Sequence, residues 1–139
     1  MKTLNPSARH YQVFDKVEAG IVLTGGEVKS VKKQGIILKE AFVQIKGGEA
    51  FLVNAHIAQY QYVKDRVYDP KGVRKLLLGK KQLAVLTSKK KQGLAIIPLS
   101  CYNKNGWIKV QIGTAKKRTK YEKKKSKIEK EIKKEIRSF

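Results

Sequence analysis

The stretch Leu94-Ala95-Ile96-Ile97-Pro98-Leu99-Ser100-Cys101-Tyr102-Asn103-Lys104-Asn105-Gly106-Trp107-Ile108-Lys109-Val110-Gln111-Ile112-Gly113 decides the fold. Gly93 breaks the chain before it, and an apolar run to Tyr102 follows. Asn103-Lys104-Asn105-Gly106 is turn chemistry that closes a hairpin onto Trp107–Gly113. In the return strand Ile108, Val110 and Ile112 alternate with Lys109 and Gln111. That period of two marks a strand with one face buried and one face wet. Pro98 lacks an N–H, so it predicts a bulge or an edge position within the first strand.

Working outward, Ala41-Phe42-Val43-Gln44-Ile45 and Ala50-Phe51-Leu52-Val53 flank Lys46-Gly47-Gly48-Glu49. This is a second hairpin, its glycines supplying the positive φ of the turn. Tyr11–Val17 and Ile21–Leu23 read as a strand pair or as one bent strand, and Val73–Leu78 as a further apolar strand. Thr24-Gly25-Gly26-Glu27 has capping-box spacing, so a short helix is expected over about residues 25–34, stopped by Gly35. A second helix is expected from about Lys80 to Lys90, with Leu83 and Leu86 on one face. Mainly β structure with short helices and tight turns predicts an OB-like antiparallel β-barrel. Pattern alone fits an SH3-like barrel as well.

The chain has 139 residues, 32 Lys plus Arg against 11 Asp plus Glu, and a net charge of +21. Residues 1–113 carry 20 basic and 7 acidic groups; residues 114–139 carry 12 and 4, a net of +8. The dense apolar pattern stops at Gly113, so the expected domains are a barrel, 1–113, and a basic C-terminal tail, 114–139. The tail opens on Lys116-Lys117-Arg118-Thr119-Lys120-Tyr121-Glu122-Lys123-Lys124-Lys125, a charge run that opposes a free helix. Beyond it, Ser126-Lys127-Ile128-Glu129 repeats the capping spacing, and Ile128, Ile132 and Ile136 form a narrow apolar stripe. A helix of about 12 residues is marginal on its own. The tail is therefore expected to be disordered when free and helical when bound to a polyanion.

Several function classes fall away. No apolar run is long enough to span a bilayer, and the N-terminus has no apolar core of a signal peptide. Cys101 is the single cysteine, expected as a small core hydrophobe, and a reducing cytoplasm is the consistent compartment. His10 and His56 stand 46 residues apart outside any zinc motif, and no cofactor or metal is expected. Gly72 and Gly79-Lys80 lack P-loop spacing, there is no Gly-x-Ser-x-Gly elbow, and the body's carboxylates are scattered. The chain is not expected to be an enzyme. A monomer is expected.

What remains is a polyanion, RNA first. Basic clusters occur at Arg9-His10, Lys29/Lys32/Lys33, Arg74-Lys75, Lys80-Lys81 and Lys89–Lys91. Tyr11, Tyr60, Tyr62, Tyr68 and Tyr121 lie near several of them. Basic groups release counterions from phosphates and aromatic faces stack on unpaired bases. Trp107 is expected to pack in the core or at a barrel end. Composition alone fits a structural ribosomal protein as well as an RNA adaptor, and the OB-like pattern adds a general OB-fold RNA-binding protein as an alternative.

Taken in order, Arg9-His10-Tyr11, Glu18-Ala19-Gly20-Ile21 and Leu23-Thr24-Gly25-Gly26-Glu27-Val28-Lys29-Ser30 resemble the opening of the SmpB family of tmRNA-binding proteins. Gly48-Glu49-Ala50-Phe51-Leu52, Asn54-Ala55-His56-Ile57, Asp69-Pro70, Arg74-Lys75-Leu76-Leu77-Leu78 and Lys104-Asn105-Gly106 continue the resemblance across the chain. It implies an OB-like barrel that binds the tRNA-like domain of tmRNA. It implies a tail that enters the decoding centre and vacant mRNA channel of a stalled 70S ribosome. Elongation factor Tu would be an indirect partner through alanyl-tmRNA. No membrane partner is implied.

By the same resemblance, Glu18 and Leu77 match residues associated with RNA binding, with Arg9, His10, Lys29, Asn54, Arg74 and Lys75 as further RNA-binding candidates. Lys29, Arg74 and Lys75 would contact phosphates, and Glu18 would accept a bond from a base or 2′-hydroxyl or orient a neighbouring Lys or Arg. Tyr121, Glu122, Lys123, Lys124, Ile128 and Ile132 are the decoding-centre candidates. Gly79 stands where many members carry His or Asn, and Gly72 where a basic residue is common. A peptide of residues 116–139 is expected to show little helix by circular dichroism in dilute buffer. Full helicity there would refute folding on binding.

Overall fold

The computed structural model describes residues 2–62 and 67–119. Seven strands, β1 (Lys2–Leu4), β2 (Tyr11–Ile21), β3 (Phe42–Lys46), β4 (Glu49–Val53), β5 (Arg74–Leu77), β6 (Ala95–Lys104) and β7 (Trp107–Lys117), form one sheet. Their order is β1-β6-β7-β2-β5-β4-β3, and every neighbouring pair is antiparallel. The sheet curls until β3 comes to lie near β6. The OB-like antiparallel barrel expected from the sequence is the architecture found.

Both expected hairpins are present, and each tight turn uses the left-handed backbone that its residues tolerate. Gly47 and Gly48 have φ of +60° and +73°; Asn105 and Gly106 have φ of +52° and +86°. The β6–β7 turn is thus two residues, shorter than the four expected, and β6 runs on to Lys104. Residues 11–21 are one strand, bent by a bulge between Val13 and Asp15. Pro98 sits at a bulge of β6, where the register shifts between Pro98 and Ser100. Asn5 secures that bulge: its Nδ2 donates to the Pro98 carbonyl at 2.7 Å and its backbone N–H to the Leu99 carbonyl at 2.9 Å.

The expected domain boundary at Gly113 falls inside β7. Lys116 pairs with Gln12 and Lys117 with Tyr11, and Thr114 and Ala115 are buried. Gly113 stops the apolar pattern for a different reason. A Cβ there would lie 3.0 Å from both Leu99 Cδ1 and Val13 Cγ1 and 3.2 Å from the Asp15 carbonyl oxygen. The glycine marks the point where two bulged strands crowd a third, not the end of the barrel.

Helix α1 (Gly25–Gln34) carries the expected capping box: Glu27 N–H donates to Thr24 Oγ1 at 3.2 Å, and Thr24 N–H to Glu27 Oε1 at 3.0 Å. Helix α2 (Lys80–Lys91) begins at Gly79, whose N–H donates to Gln82 Oε1 at 3.1 Å. Val31, Leu38, Val43, Leu52, Ile57, Ile96, Val110 and Ile112 fill the core. Each such side chain contributes about 1.5–3 kcal/mol by leaving water. Cys101 is buried among them, and desolvation pushes its thiol up to about 12, so it packs as a hydrophobe.

The interior also holds an ion pair, and its cation is a residue that the sequence reading placed outside. Arg74, expected on a phosphate, is only 4% exposed. Its neighbours on β5 alternate, so Leu76 also faces inward while Lys75 and Leu77 face out. Arg74 Nε donates to Glu27 Oε2 at 2.9 Å, Nη1 to the Ala55 carbonyl at 2.9 Å and Nη2 to Tyr68 Oη at 3.1 Å. Tyr68 Oη in turn donates to the Ile57 carbonyl at 2.8 Å. Arg74 is a structural residue, because its donors are spent inside the protein.

Burial opposes the Glu27 charge, but the N–H of Thr24 and the Arg74 guanidinium outweigh it and hold the carboxyl below its ordinary 4.5. The stability this adds is complete above that ordinary value and is lost as pH falls through the lower folded one. Glu27→Gln leaves the buried guanidinium without a counter-charge. It is expected to destabilise the fold by about 3–5 kcal/mol in urea unfolding at neutral pH. The variant should also lose part of the wild type's drop in stability below the ordinary carboxyl range.

Candidate nucleic-acid interface

The outer face of the barrel is assembled by strand register. Gly20 on β2 stands opposite Leu77 on β5 and, on its other side, opposite Lys109 on β7. Lys109 in turn pairs with Tyr102 on β6, and Lys104 with Trp107. Paired residues of an antiparallel sheet share a face, and so do residues two apart on a strand. Glu18, Gly20, Leu77, Lys109, Tyr102, Lys104 and Trp107 therefore belong to one surface. Gly20 keeps it flat: a Cβ there would lie 3.3 Å from Leu77 Cβ. Leu77 is 53% exposed and Trp107 is 73% exposed.

At the centre of this face Glu18 accepts a short hydrogen bond from Tyr102 Oη, and Lys104 Nζ lies 3.4 Å from its Oε1. The Tyr102 bond lowers the Glu18 pKa most; partial desolvation acts the other way, and Lys104 and Lys109 add to the lowering. Burial and the Glu18 carboxylate push the Tyr102 hydroxyl up to about 12. Glu18 is thus a charged acceptor held between a hydroxyl and an ammonium. Of its two expected roles, orienting a neighbouring lysine is the geometry present in the free protein.

The other candidates divide. Lys75 is on the outer face, with Nζ 3.1 Å from Glu49 Oε1 in an exposed pair. Arg74 is buried and leaves the interface. Lys29 is exposed on α1, its Nζ 5.7 Å from the centre of the Tyr60 ring. Asn54, at φ +66°, donates from Nδ2 to the Glu40 carbonyl at 3.2 Å, and the Glu40 N–H donates to Ser7 Oγ at 3.2 Å. Ser7 lies in the 3-10 turn Pro6–His10, which carries Arg9 and His10. The His10 carbonyl accepts from the Arg118 N–H at 2.8 Å. Arg9 and His10 therefore lie where β7 ends, seven residues along β2 from Glu18, a span of about 24 Å. Asn54 is tied to their turn through Glu40. Tyr121, Glu122, Lys123, Lys124, Ile128 and Ile132 lie outside the described residues, as does the helix expected after Ser126.

No group of three or more His, Cys, Asp or Glu that could hold a metal occurs among the described residues. The cleft between α2 and β2, bounded by Lys16, Val17, Val85 and Leu86, holds one carboxylate, Asp15, 3.9 Å from Lys89. No helix among the described residues is long and apolar enough to cross a membrane.

The family model described as SmpB protein matches residues 3–139. The chain belongs to the SmpB family. It is 48% identical over 134 residues to the SsrA-binding protein of Sulfurihydrogenibium sp. (strain YO3AOP1), covering 95% of this chain and 88% of the relative. It is 46% identical over 140 residues to that of Streptococcus thermophilus (strain ATCC BAA-491 / LMD-9), covering 96% and 91%. A solved structure described as "tmRNA-SmpB: a journey to the center of the bacterial ribosome" superposes with a TM-score of 0.71 at 36% identity. That match covers 86% of this chain and 85% of the other.

Within this SmpB barrel, the sequence reading singled out Glu18 and Leu77 as candidates but not Lys109, Trp107 and Tyr102, which lie on β7 and β6 on the other side of Glu18. Lys109 and Trp107 were legible in the period of β7, which sets residues 107, 109 and 111 on one face. Trp107 was nevertheless expected to pack in the core or at a barrel end. It lies directly after the tight turn, and most of the residue is exposed among the described residues. Tyr102 carried no local signal, since its role depends on a partner 84 residues away. Tyr102→Phe removes the bond that favours the charged carboxylate. The Glu18 carboxyl should then titrate at higher pH than in the wild type, as read by NMR of its side-chain carbon.

Proposed function

We infer that this SmpB protein binds tmRNA and acts with it at the ribosome, as an RNA-binding adaptor. The agreement of the family match with the named SsrA-binding relatives and the tmRNA-SmpB ribosome structure carries this reading. Composition alone was equally consistent with a structural ribosomal protein, and the comparisons do not favour that class. The chemistry is binding rather than turnover, and the cytoplasm is its compartment.

The two basic regions divide the work. The barrel holds the tRNA-like domain of tmRNA through the Glu18–Leu77 face. Its lysines position phosphates while Leu77 and Trp107 offer apolar surface to unpaired bases. Glu18 cannot attract phosphate, so it orients Lys104 toward one. Arg9 and His10 lie where the tail departs and contact RNA near that point, with Asn54 on the loop tied to their turn. The tail, with Tyr121, Glu122, Lys123, Lys124, Ile128 and Ile132, reaches the decoding centre and vacant mRNA channel of a stalled ribosome. Its charge draws it to ribosomal RNA. Elongation factor Tu joins through alanyl-tmRNA, and the adaptor acts as a monomer.

Because β7 runs to Lys117 and Arg118 bonds to His10, the cut that spares the barrel falls after Thr119. A chain ending there is expected to retain tmRNA binding in a gel shift and to lose peptide tagging on stalled ribosomes. Loss of RNA binding would overturn the division of labour. Co-sedimentation of the full chain with all ribosomes, without enrichment on stalled ones, would favour a structural ribosomal protein.

A further inference from the structure

A second set of basic and aromatic side chains sits on α1 and on the segment after β4, elements separate from the strands of the Glu18–Leu77 face. The segment after β4 is stapled to the helix and to β5. Ser30 Oγ donates to the Ala58 carbonyl at 2.6 Å, Arg74 Nη1 reaches the Ala55 carbonyl, and Ile57 N–H donates to the Pro70 carbonyl at 2.9 Å. Tyr60 follows two residues later, under Lys29 of α1, with Nζ 5.7 Å from the ring centre. Tyr62 meets Tyr60 edge-on, ring centres 5.2 Å apart at 68°, and is itself 74% exposed.

Lys29, Lys32 and Lys33 are all exposed, and their i, i+3, i+4 spacing puts them on one side of the helix over about 6 Å of axis. Lys32 leans toward the β6–β7 turn, Nζ 3.4 Å from the Gly106 carbonyl oxygen. An aromatic pair fixed to a rigid helix at one end of a lysine row has the parts of a single-strand site. A ring offers a face to any base, and ammonium groups follow the phosphates. The cation over Tyr60 adds to the pull on a stacked π-system. The edge-on contact with Tyr60 leaves Tyr62 mostly in water, so packing alone does not explain it.

We propose that Tyr60 and Tyr62, with Lys29, Lys32 and Lys33, form a second RNA site that stacks an unpaired nucleotide and holds its flanking phosphates. This rests on the reading of the chain as an RNA-binding adaptor. The nucleotide belongs either to tmRNA or to ribosomal RNA, which share this chemistry.

The test uses the full chain and two variants, Tyr62→Leu and Tyr62→Phe, titrated separately with tmRNA and with purified ribosomes. Loss of one base–aromatic stack should weaken Tyr62→Leu by at least about fivefold, the low end of the stacking range. Phe keeps the ring, so Tyr62→Phe should restore binding. The salt slope of Tyr62→Leu should match the wild type, because no phosphate contact is removed. Weakening toward tmRNA assigns the nucleotide to tmRNA; weakening toward ribosomes alone assigns it to ribosomal RNA. Unchanged affinity in both titrations overturns the proposal, as does equal weakening by Leu and Phe. If the wild type itself fails to bind tmRNA, the adaptor reading fails instead.

Discussion

The buried pair between Arg74 and Glu27 is the interaction on which the arrangement of this barrel depends. One guanidinium ties together parts of the chain that no strand ladder joins. It fixes the N-terminal turn of α1 through Glu27, the segment after β4 through the Ala55 carbonyl, and the next loop through Tyr68. A buried ion pair adds little net stability relative to apolar residues, but removing one partner is severe. Its effect is geometric. It sets where α1 lies on the barrel, and with it Lys29, Lys32, Lys33 and the Tyr60–Tyr62 pair.

Two glycines set the shape of the surface by a different constraint, close approach. Gly113 lets β7 pass between the bulges of β2 and β6, where a Cβ would collide with Leu99 and Val13. Gly20 leaves Leu77 uncovered in the middle of the Glu18 face. Both sit in strand interiors, where glycine weakens the strand and commonly marks a bulge or a close approach. In this SmpB barrel one spacing serves packing and the other leaves an apolar contact open on a strongly basic protein.

Much of the fold was legible because it is local. The alternation of Ile108, Val110 and Ile112, the turns at Gly47-Gly48 and Asn105-Gly106, and the Thr24–Glu27 box each act over a few residues. The errors came where a local sign had a distant cause. Gly113 resembled a terminus because the small residues Thr114 and Ala115 carry little apolar signal, although both are buried. Pro98 had two local readings, and the second bulge, with Asn5 as its clamp, decided between them.

The sequence by itself determined the strands, the helix caps, the basic character and, through ordered motifs, the family. Charge, alternation and capping are properties of neighbours along the chain. Only the tertiary structure decided which cations are available to RNA. Arg74 and Lys75 are adjacent and read alike, yet the pleat turns one into the core and the other to solvent. It also decided what surrounds Glu18, since Tyr102 and Lys104 reach it only through the pairing of β2, β7 and β6. Burial and cross-strand register belong to the folded sheet, and a run of residues does not carry them.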